Sequence, residues 1–176
     1  MLKGRFARFF VPGDYRLNVE AITPRELLAR GIKGLIIDLD NTIVIWNDNF
    51  LSDGVREWVA SLKAAGIGVC IASNSSNIER VRAIAAELCI PMLCRSAKPM
   101  KRSFVKAMEI LGTGVENTAV VGDQLFTDVF GGNRLGLHTV LVLPLSRKDF
   151  IGTRLVRIIE KRILKHLPAV KLYVED

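Results

Sequence analysis

The chain has 176 residues, 49% of them apolar, with a mean hydropathy of +0.27 and a formal net charge of +7. That length suits one domain with a substantial core, and no apolar stretch approaches the roughly 20 residues a spanning helix needs. Met1 to Val11 lacks both a long apolar region and a small-residue cleavage site, which argues against a secretory signal.

In chain order, Thr23-Pro24-Arg25-Glu26 reads as a capping box with proline at the first helical position, and Gly31 closes that helix. A strand follows over about 33–38. After a loop or small hairpin comes a helix over about 54–65, ended by Gly66. A second strand covers 67–72. Ser76-Asn77-Ile78-Glu79 reads as another capping box, opening a helix that reaches about Leu88. A short strand at 91–94, a helix at 101–111 stopped by Gly112, and a strand at 118–121 come next. Gly122-Asp123 then leads into a helix that Gly136 terminates, and a fifth strand runs over 138–143. This unbroken alternation predicts an α/β fold, a single doubly wound sheet of about five parallel strands.

Four of the strands end at polar residues suited to one chemistry. Leu35-Ile36-Ile37 runs into Asp38-Leu39-Asp40-Asn41-Thr42, and Val69-Cys70-Ile71-Ala72 runs into Ser73-Asn74. Lys98-Pro99 follows the short strand, and Ala119-Val120-Val121 runs into Gly122-Asp123, with Asp128 five residues on. Ligands of open α/β sheets bind where the carboxyl ends of the strands meet. Phosphate-ester hydrolysis by an aspartate needs one carboxylate to attack phosphorus and a second acid to protonate the leaving alkoxide. Asp38 is therefore expected as the nucleophile and Asp40 as the general acid, later the base that activates water. Magnesium, which prefers carboxylates, phosphate and water, is the expected cofactor. Its expected ligands are Asp38, the Asp40 backbone, Asp123 and Asp128. Ser73, Asn74 and Lys98 are expected to bind the substrate phosphate, Asn74 through its backbone. Singly, these residues read as caps and surface charges; the order and the strand-end placement carry the assignment.

These segments resemble the motifs of the haloacid dehalogenase superfamily: Asp38-x-Asp40-x-Thr42 its first, Ser73 its second, Lys98 its third, and Gly122-Asp123-x-x-x-x-Asp128 its fourth. The aspartate at position 40 resembles the phosphatase branch. Neither the gap from Asp40 to Ser73 nor that from Ser73 to Lys98 has room for a cap domain beside its helix, which implies the capless subclass III. A finer resemblance, to YqeG-type subclass IIIA proteins related to phosphatidylglycerophosphate phosphatases, adds Pro12, Ile22-Thr23-Pro24, Gly31-Ile32-Lys33-Gly34 and Ala97-Lys98-Pro99. Ser75 departs from it, standing where many relatives carry a second asparagine. The resemblance implies a lipid phosphate as substrate, phosphatidylglycerophosphate converted to phosphatidylglycerol. A soluble metabolite, a phosphoprotein or a nucleic-acid end is the alternative substrate, and an inert Rossmann-like scaffold the alternative class.

One domain is expected over 1–176, with a catalytic core over about 32–143 and basic, apolar flanks at 1–16 and 147–166. Residues 1–16 hold four basic side chains against one acidic, and residues 147–166 hold seven against two. That asymmetry points to an anionic surface as partner. The lack of the aromatic platform typical of single-strand binders argues against single-stranded nucleic acid, leaving a phospholipid membrane and peripheral attachment at its cytoplasmic face. Ile151, Leu155, Ile159, Ile163 and Leu167 recur at helical spacing beside Arg154, Arg157, Lys161 and Lys165, as in a basic amphipathic helix at a headgroup layer. A terminal helix packed on the sheet accounts for the pattern equally well. Phe6, Phe9, Phe10 and Val11, interleaved with Arg5 and Arg8, form a second candidate anchor. Arg95, Lys101 and Arg102 are candidates for a second substrate phosphate. Trp46 and Phe50 are expected to pack on the sheet, the alternative being to shield an open site; the three cysteines are expected to be buried, and His138 and His166 to lack partners. The oligomeric state is not legible.

Overall fold

The computed structural model describes residues 7–146. They form a six-stranded, wholly parallel sheet in the order β1-β6-β5-β2-β3-β4. The strands are β1 (Asp14–Arg16), β2 (Gly34–Ile37), β3 (Gly68–Ala72), β4 (Met92–Leu93), β5 (Thr118–Gly122) and β6 (His138–Val142). The helices are α1 (Pro24–Ala29), α2 (Asp53–Ala64), α3 (Ile78–Glu87), α4 (Lys101–Leu111) and α5 (Phe130–Asn133). The expected five strands become six because β1, within the N-terminal flank, pairs with β6. Three residues give no alternating pattern to detect in sequence.

The central strands are buried on both faces, and their side chains alternate as a pleat requires. Leu35, Ile37, Val69, Ile71, Ala119 and Val121 pack with Val55, Val59 and Leu62 of α2 and Val81 and Ile84 of α3. Ile36, Cys70, Ala72 and Val120 pack on the other face, against Phe104, Ala107 and Met108 of α4. A third cluster joins Phe10 and Tyr15 to Leu125, Val129 and Leu141. Phe10 is therefore core rather than a free membrane anchor. Its ring stacks on Phe130 and meets Phe126 edge-on, because β1 draws the preceding segment onto the sheet. Of the rest of the proposed N-terminal anchor, Arg8 and Val11 are exposed and Phe9 is half-buried, edge-on to Phe130, while Phe6, Arg5 and the whole 147–166 segment lie outside the described residues.

The caps follow the sequence with one correction. Thr23 and Glu26 form their capping box, and Gly31, Gly66, Gly112 and Gly136 take positive φ. The N-cap of α3 is Asn77, whose side chain accepts from the Arg80 N–H, so the box proposed at Ser76 lies one residue early. Another difference follows Gly122: a π-helical turn over Leu125–Val129 leads into the four-residue α5 in place of one regular helix. Between Asp40 and Ser73 lie only a loop, α2 and β3, and between Ser73 and Asp123 only α3, β4, α4 and β5 with their connections. Among the described residues no further domain covers the sheet edge. No helix among them is long and apolar enough to cross a membrane.

Candidate active site

β2 ends at Ile37, so Asp38 emerges at the C-terminal edge of the sheet between β3 and β5. Its amide donates to the Val121 carbonyl at 2.9 Å, extending the ladder by one residue. Its carboxylate meets the Lys98 ammonium at 2.8 Å, and the same ammonium lies 2.6 Å from Asp128. Asp123 completes the group: carboxylate oxygens of Asp38, Asp123 and Asp128 lie within 4.8 Å of one another, all buried. Thr42 donates its hydroxyl to Asp123 at 3.2 Å.

The backbone turns that make this possible are specific. Asp128 folds back beside Gly122, where any Cβ would collide with its carboxylate, so glycine is required by close approach. Its carboxylate also accepts from the Gln124 N–H at 3.2 Å. The side chain of Asn74 has a role that the expectation for its backbone did not include. Its side-chain oxygen accepts from the Lys98 N–H at 2.8 Å and from the Ser96 hydroxyl at 2.9 Å, while its NH₂ donates to the Lys98 carbonyl at 3.0 Å. The asparagine thus clamps both peptide groups of Lys98 and aims that side chain. Ser73 is buried, and its hydroxyl oxygen accepts the Ser75 N–H at 3.0 Å, which leaves its own hydrogen for donation.

Asp40 turns another way. Its carboxylate pairs with Arg80 at 2.9 Å and accepts the Asn47 N–H at 3.2 Å. Arg80 is buried, and the same guanidinium donates to the Asp48 carbonyl at 2.8 and 2.6 Å. One cation from α3 therefore ties the second aspartate to the loop after β2. Sequence reading missed Arg80, since an arginine in the first turn of an amphipathic helix reads as a solvated charge. The signal was its place one turn after the Asn77 cap, on the stripe it shares with Val81 and Ile84.

Burial raises the carboxyl of Asp40 above the ordinary value, with Arg80 opposing. Asp128 is pushed up to about 6, first by burial and further by Asp38, against the pull of Lys98. Burial works against the charge of Lys98, yet Asp128 and Asp38 prevail and hold it above the ordinary lysine value. Three carboxylates against one ammonium leave the pocket short of positive charge. Hard oxygen donors with surplus negative charge suit a hard divalent cation, so the residues fit a metal held by Asp38, Asp123 and Asp128.

Three smaller expectations change. Trp46 and Phe50 are exposed rather than packed on the sheet, because the loop carrying them turns outward after Val44. His138 has a partner, Asp14 at 3.3 Å, supplied by the unforeseen strand β1. Cys70 is buried as expected, whereas Cys89 is exposed, carried to the surface by the turn that ends α3.

A family model described as "Hydrolase: haloacid dehalogenase-like hydrolase" matches residues 43–136, which hold Ser73, Lys98, Asp123 and Asp128. "Probable phosphatase YqeG" of Bacillus subtilis (strain 168) is 42% identical over 160 residues, covering 91% of this chain and 92% of that protein. The chain belongs to the haloacid dehalogenase-like hydrolases. Within that family it is an enzyme of the phosphatase kind. "Phosphatidylglycerophosphate phosphatase 1, chloroplastic/mitochondrial" of Arabidopsis thaliana is 32% identical over 168 residues, 90% of this chain and 48% of that protein. The chain thus spans about half of that relative. The fold likeness extends to a solved 3-deoxy-D-manno-octulosonate 8-phosphate phosphatase from Yersinia pestis. That match has a TM-score of 0.51 at 19% identity, over 81% of this haloacid dehalogenase-type chain and 85% of the other.

Proposed function

We propose that this chain is a magnesium-dependent phosphomonoesterase that works through a phosphoaspartate on Asp38, with phosphatidylglycerophosphate as substrate and phosphatidylglycerol as product, at the cytoplasmic face of a membrane. The observation that carries the chemistry is the convergence of Asp38 and Asp128 on Lys98, at 2.8 and 2.6 Å, beside Asp123.

A carboxylate oxygen of Asp38 attacks phosphorus, forming the Asp38–phosphorus bond as the bond to the glycerol oxygen breaks. Asp40 delivers its proton to that leaving oxygen. Water then attacks the phosphoaspartate while Asp40 takes a proton back, releasing phosphate and restoring Asp38. Two hydrogens of Lys98 face Asp38 and Asp128, leaving the third for a phosphoryl oxygen. The Ser73 hydroxyl, and the backbone around Asn74, supply further donors. Magnesium, when bound by Asp38, the Asp40 backbone, Asp123 and Asp128, supplies charge neutralisation between the attacking carboxylate and the phosphoryl oxygens.

The lipid substrate draws its support from the named activity of the Arabidopsis relative, from a sheet edge that no further domain covers among the described residues, and from the cationic flanks at 1–16 and 147–166. Arg95, Lys101 and Arg102 are exposed beside the Lys98 loop and suit the diester phosphate one glycerol away.

The test is a panel of phosphatidylglycerophosphate in mixed micelles, sugar phosphates, nucleotides and phosphopeptides, run with Asp38→Asn as control. Turnover of the lipid that vanishes in Asp38→Asn supports both halves. Undiminished activity in Asp38→Asn sinks the chemistry. Rapid hydrolysis of soluble phosphates with none of the lipid sinks the substrate and leaves the chemistry standing.

A further inference from the structure

Twelve large apolar side chains are exposed among the described residues; Val11, Leu28, Val105, Ile110 and Val115 are scattered over other elements, and six gather at the catalytic edge. Among the described residues, Leu17, Ile45, Trp46, Phe50, Leu143 and Leu145 all lie just beyond the C-terminal ends of β1, β2 or β6. Phe50 is 71% exposed and Leu17 57%. Backbone bonds join these loops into one rim. The Leu143 N–H donates to the Arg16 carbonyl at 3.3 Å and the Leu145 N–H to the Asn41 carbonyl at 3.0 Å. The Trp46 N–H donates to the side chain of Asn41 at 3.2 Å. Asn41, between Asp40 and Thr42, thus fastens both the Trp46 loop and the Leu145 segment to the first catalytic strand.

The opposite side of the same edge is cationic. Arg95, Lys101 and Arg102 are exposed around Met100, itself 53% exposed. The acid within the apolar loop, Asp48, turns its carboxylate back onto the N–H groups of Asn49 and Phe50, at 2.7 and 3.1 Å.

We propose that this rim is a membrane-docking surface: Leu17, Ile45, Trp46, Phe50, Leu143 and Leu145 seat in the interfacial layer of a bilayer, while Arg95, Lys101 and Arg102 contact anionic headgroups. The inference rests on the lipid-phosphate reading above and assigns the contact to the catalytic edge rather than to the basic flanks alone. Two features select a bilayer as occupant. A mixed tryptophan, aliphatic and cationic set complements an anionic interface. The rim also surrounds the mouth of a site that no further domain covers among the described residues, so a protein seated there would stopper it, whereas a membrane holding the substrate both covers and supplies it.

The experiment uses the full chain with vesicles of phosphatidylcholine and phosphatidylglycerol, free of any phosphomonoester lipid. Trp58, only 5% exposed, is the other tryptophan, so Trp46→Phe isolates its signal. Trp46 emission is expected to shift to the blue and to be quenched by lipids brominated in the acyl chains, with Trp58 unaffected. Phe50→Asp and Leu145→Asp should each weaken vesicle partitioning by about tenfold, the effect of removing one large apolar anchor. Their thermal midpoints report whether the fold survives, and the quenching measurement on the unsubstituted chain needs no variant. The proposal is overturned if the chain does not partition onto the vesicles, or partitions with Trp46 unquenched. It is overturned equally if Trp46 is already shielded from acrylamide without lipid, or if Phe50→Asp dissolves a dimer, since the chain itself then covers the rim. Quenched Trp46 with no turnover of phosphatidylglycerophosphate would sink the substrate reading and leave the docking surface; turnover without quenching would do the reverse.

Discussion

Asp38 and Asp40 stand two residues apart and yet live in different electrostatic settings. Asp38 faces the Lys98 ammonium, while Asp40 is held by Arg80 from α3. Arg80→Ala would leave a half-buried carboxylate unpaired and release the Asp48 loop, at a stability cost on the order of 3 kcal/mol. The kinetic consequence separates positioning from mere support. An alkyl phosphate needs its leaving oxygen protonated, so its turnover should fall by about 100-fold, the lower range of general-acid contributions. A p-nitrophenyl ester, whose leaving group departs unprotonated, should lose much less, and Arg80→Lys should recover part of the difference. Equal losses on both substrates would show that Arg80 only holds the fold. A second substitution probes close approach: Gly122→Ala puts a methyl group against the Asp128 carboxylate. We expect it to cut activity while leaving the thermal midpoint within a few degrees. Retained turnover would show that Asp128 need not occupy this position. The acidic and hydroxyl groups were legible because Asp38, Ser73 and Asp123 each end a short apolar run, and Lys98 by its place in the motif order after the short strand. Arg80 and the Asn74 clamp were not, because their partners lie 40 and 24 residues away in sequence and only the folded sheet brings them together.

At the scale of elements, the central strands were readable as continuous apolar runs because they are buried on both faces. The edges were harder. β4, of two residues, falls within the strand expected at 91–94, whereas β1, of three, is too short for a period and owes its place to pairing with β6 and to Phe10 and Tyr15 beneath it. Asp14 at its start receives Arg30 at 3.0 Å and His138 at 3.3 Å. Burial, with Arg30 adding to it, lowers His138 below its ordinary value of 6.5. A histidine depressed in the folded state binds fewer protons there than in the unfolded chain. Its contribution to stability is therefore complete above 6.5 and is lost as pH falls through that value toward the depressed one. His138→Gln removes the titration. Its urea midpoint should fall less than that of the wild type as the pH is lowered below 6.5. Parallel midpoint curves for the two proteins would show that the histidine does not report on the folded state. The π-helical turn at Leu125–Val129 escaped prediction for a related reason. Its extra residue per turn leaves no distinct apolar pattern, yet it swings Asp128 back over Gly122.

For the whole molecule the balance of charge decides the last prediction. The pocket holds Asp38, Asp123 and Asp128 against Lys98, and burial denies it the screening that would make such crowding cheap. A folded chain with surplus buried negative charge binds a dication, whereas the unfolded chain has no preformed site, so the ion must stabilise the fold by mass action. Thermal unfolding should therefore shift upward as magnesium is added, by an amount that grows with the logarithm of its concentration once the site is filled. Calcium, softer in its geometric demands and carrying the same charge, should raise the midpoint as well without supporting equal turnover. EDTA should abolish activity and return the midpoint to its metal-free value. Asp123→Asn removes one of the three carboxylates and should flatten the magnesium response before it affects the metal-free midpoint. In that variant the surplus charge is smaller, so the metal-free protein should be no less stable than the wild type. A magnesium-independent midpoint in the wild type, with turnover surviving EDTA, would remove the metal from the reading and leave Lys98 as the cation of the site.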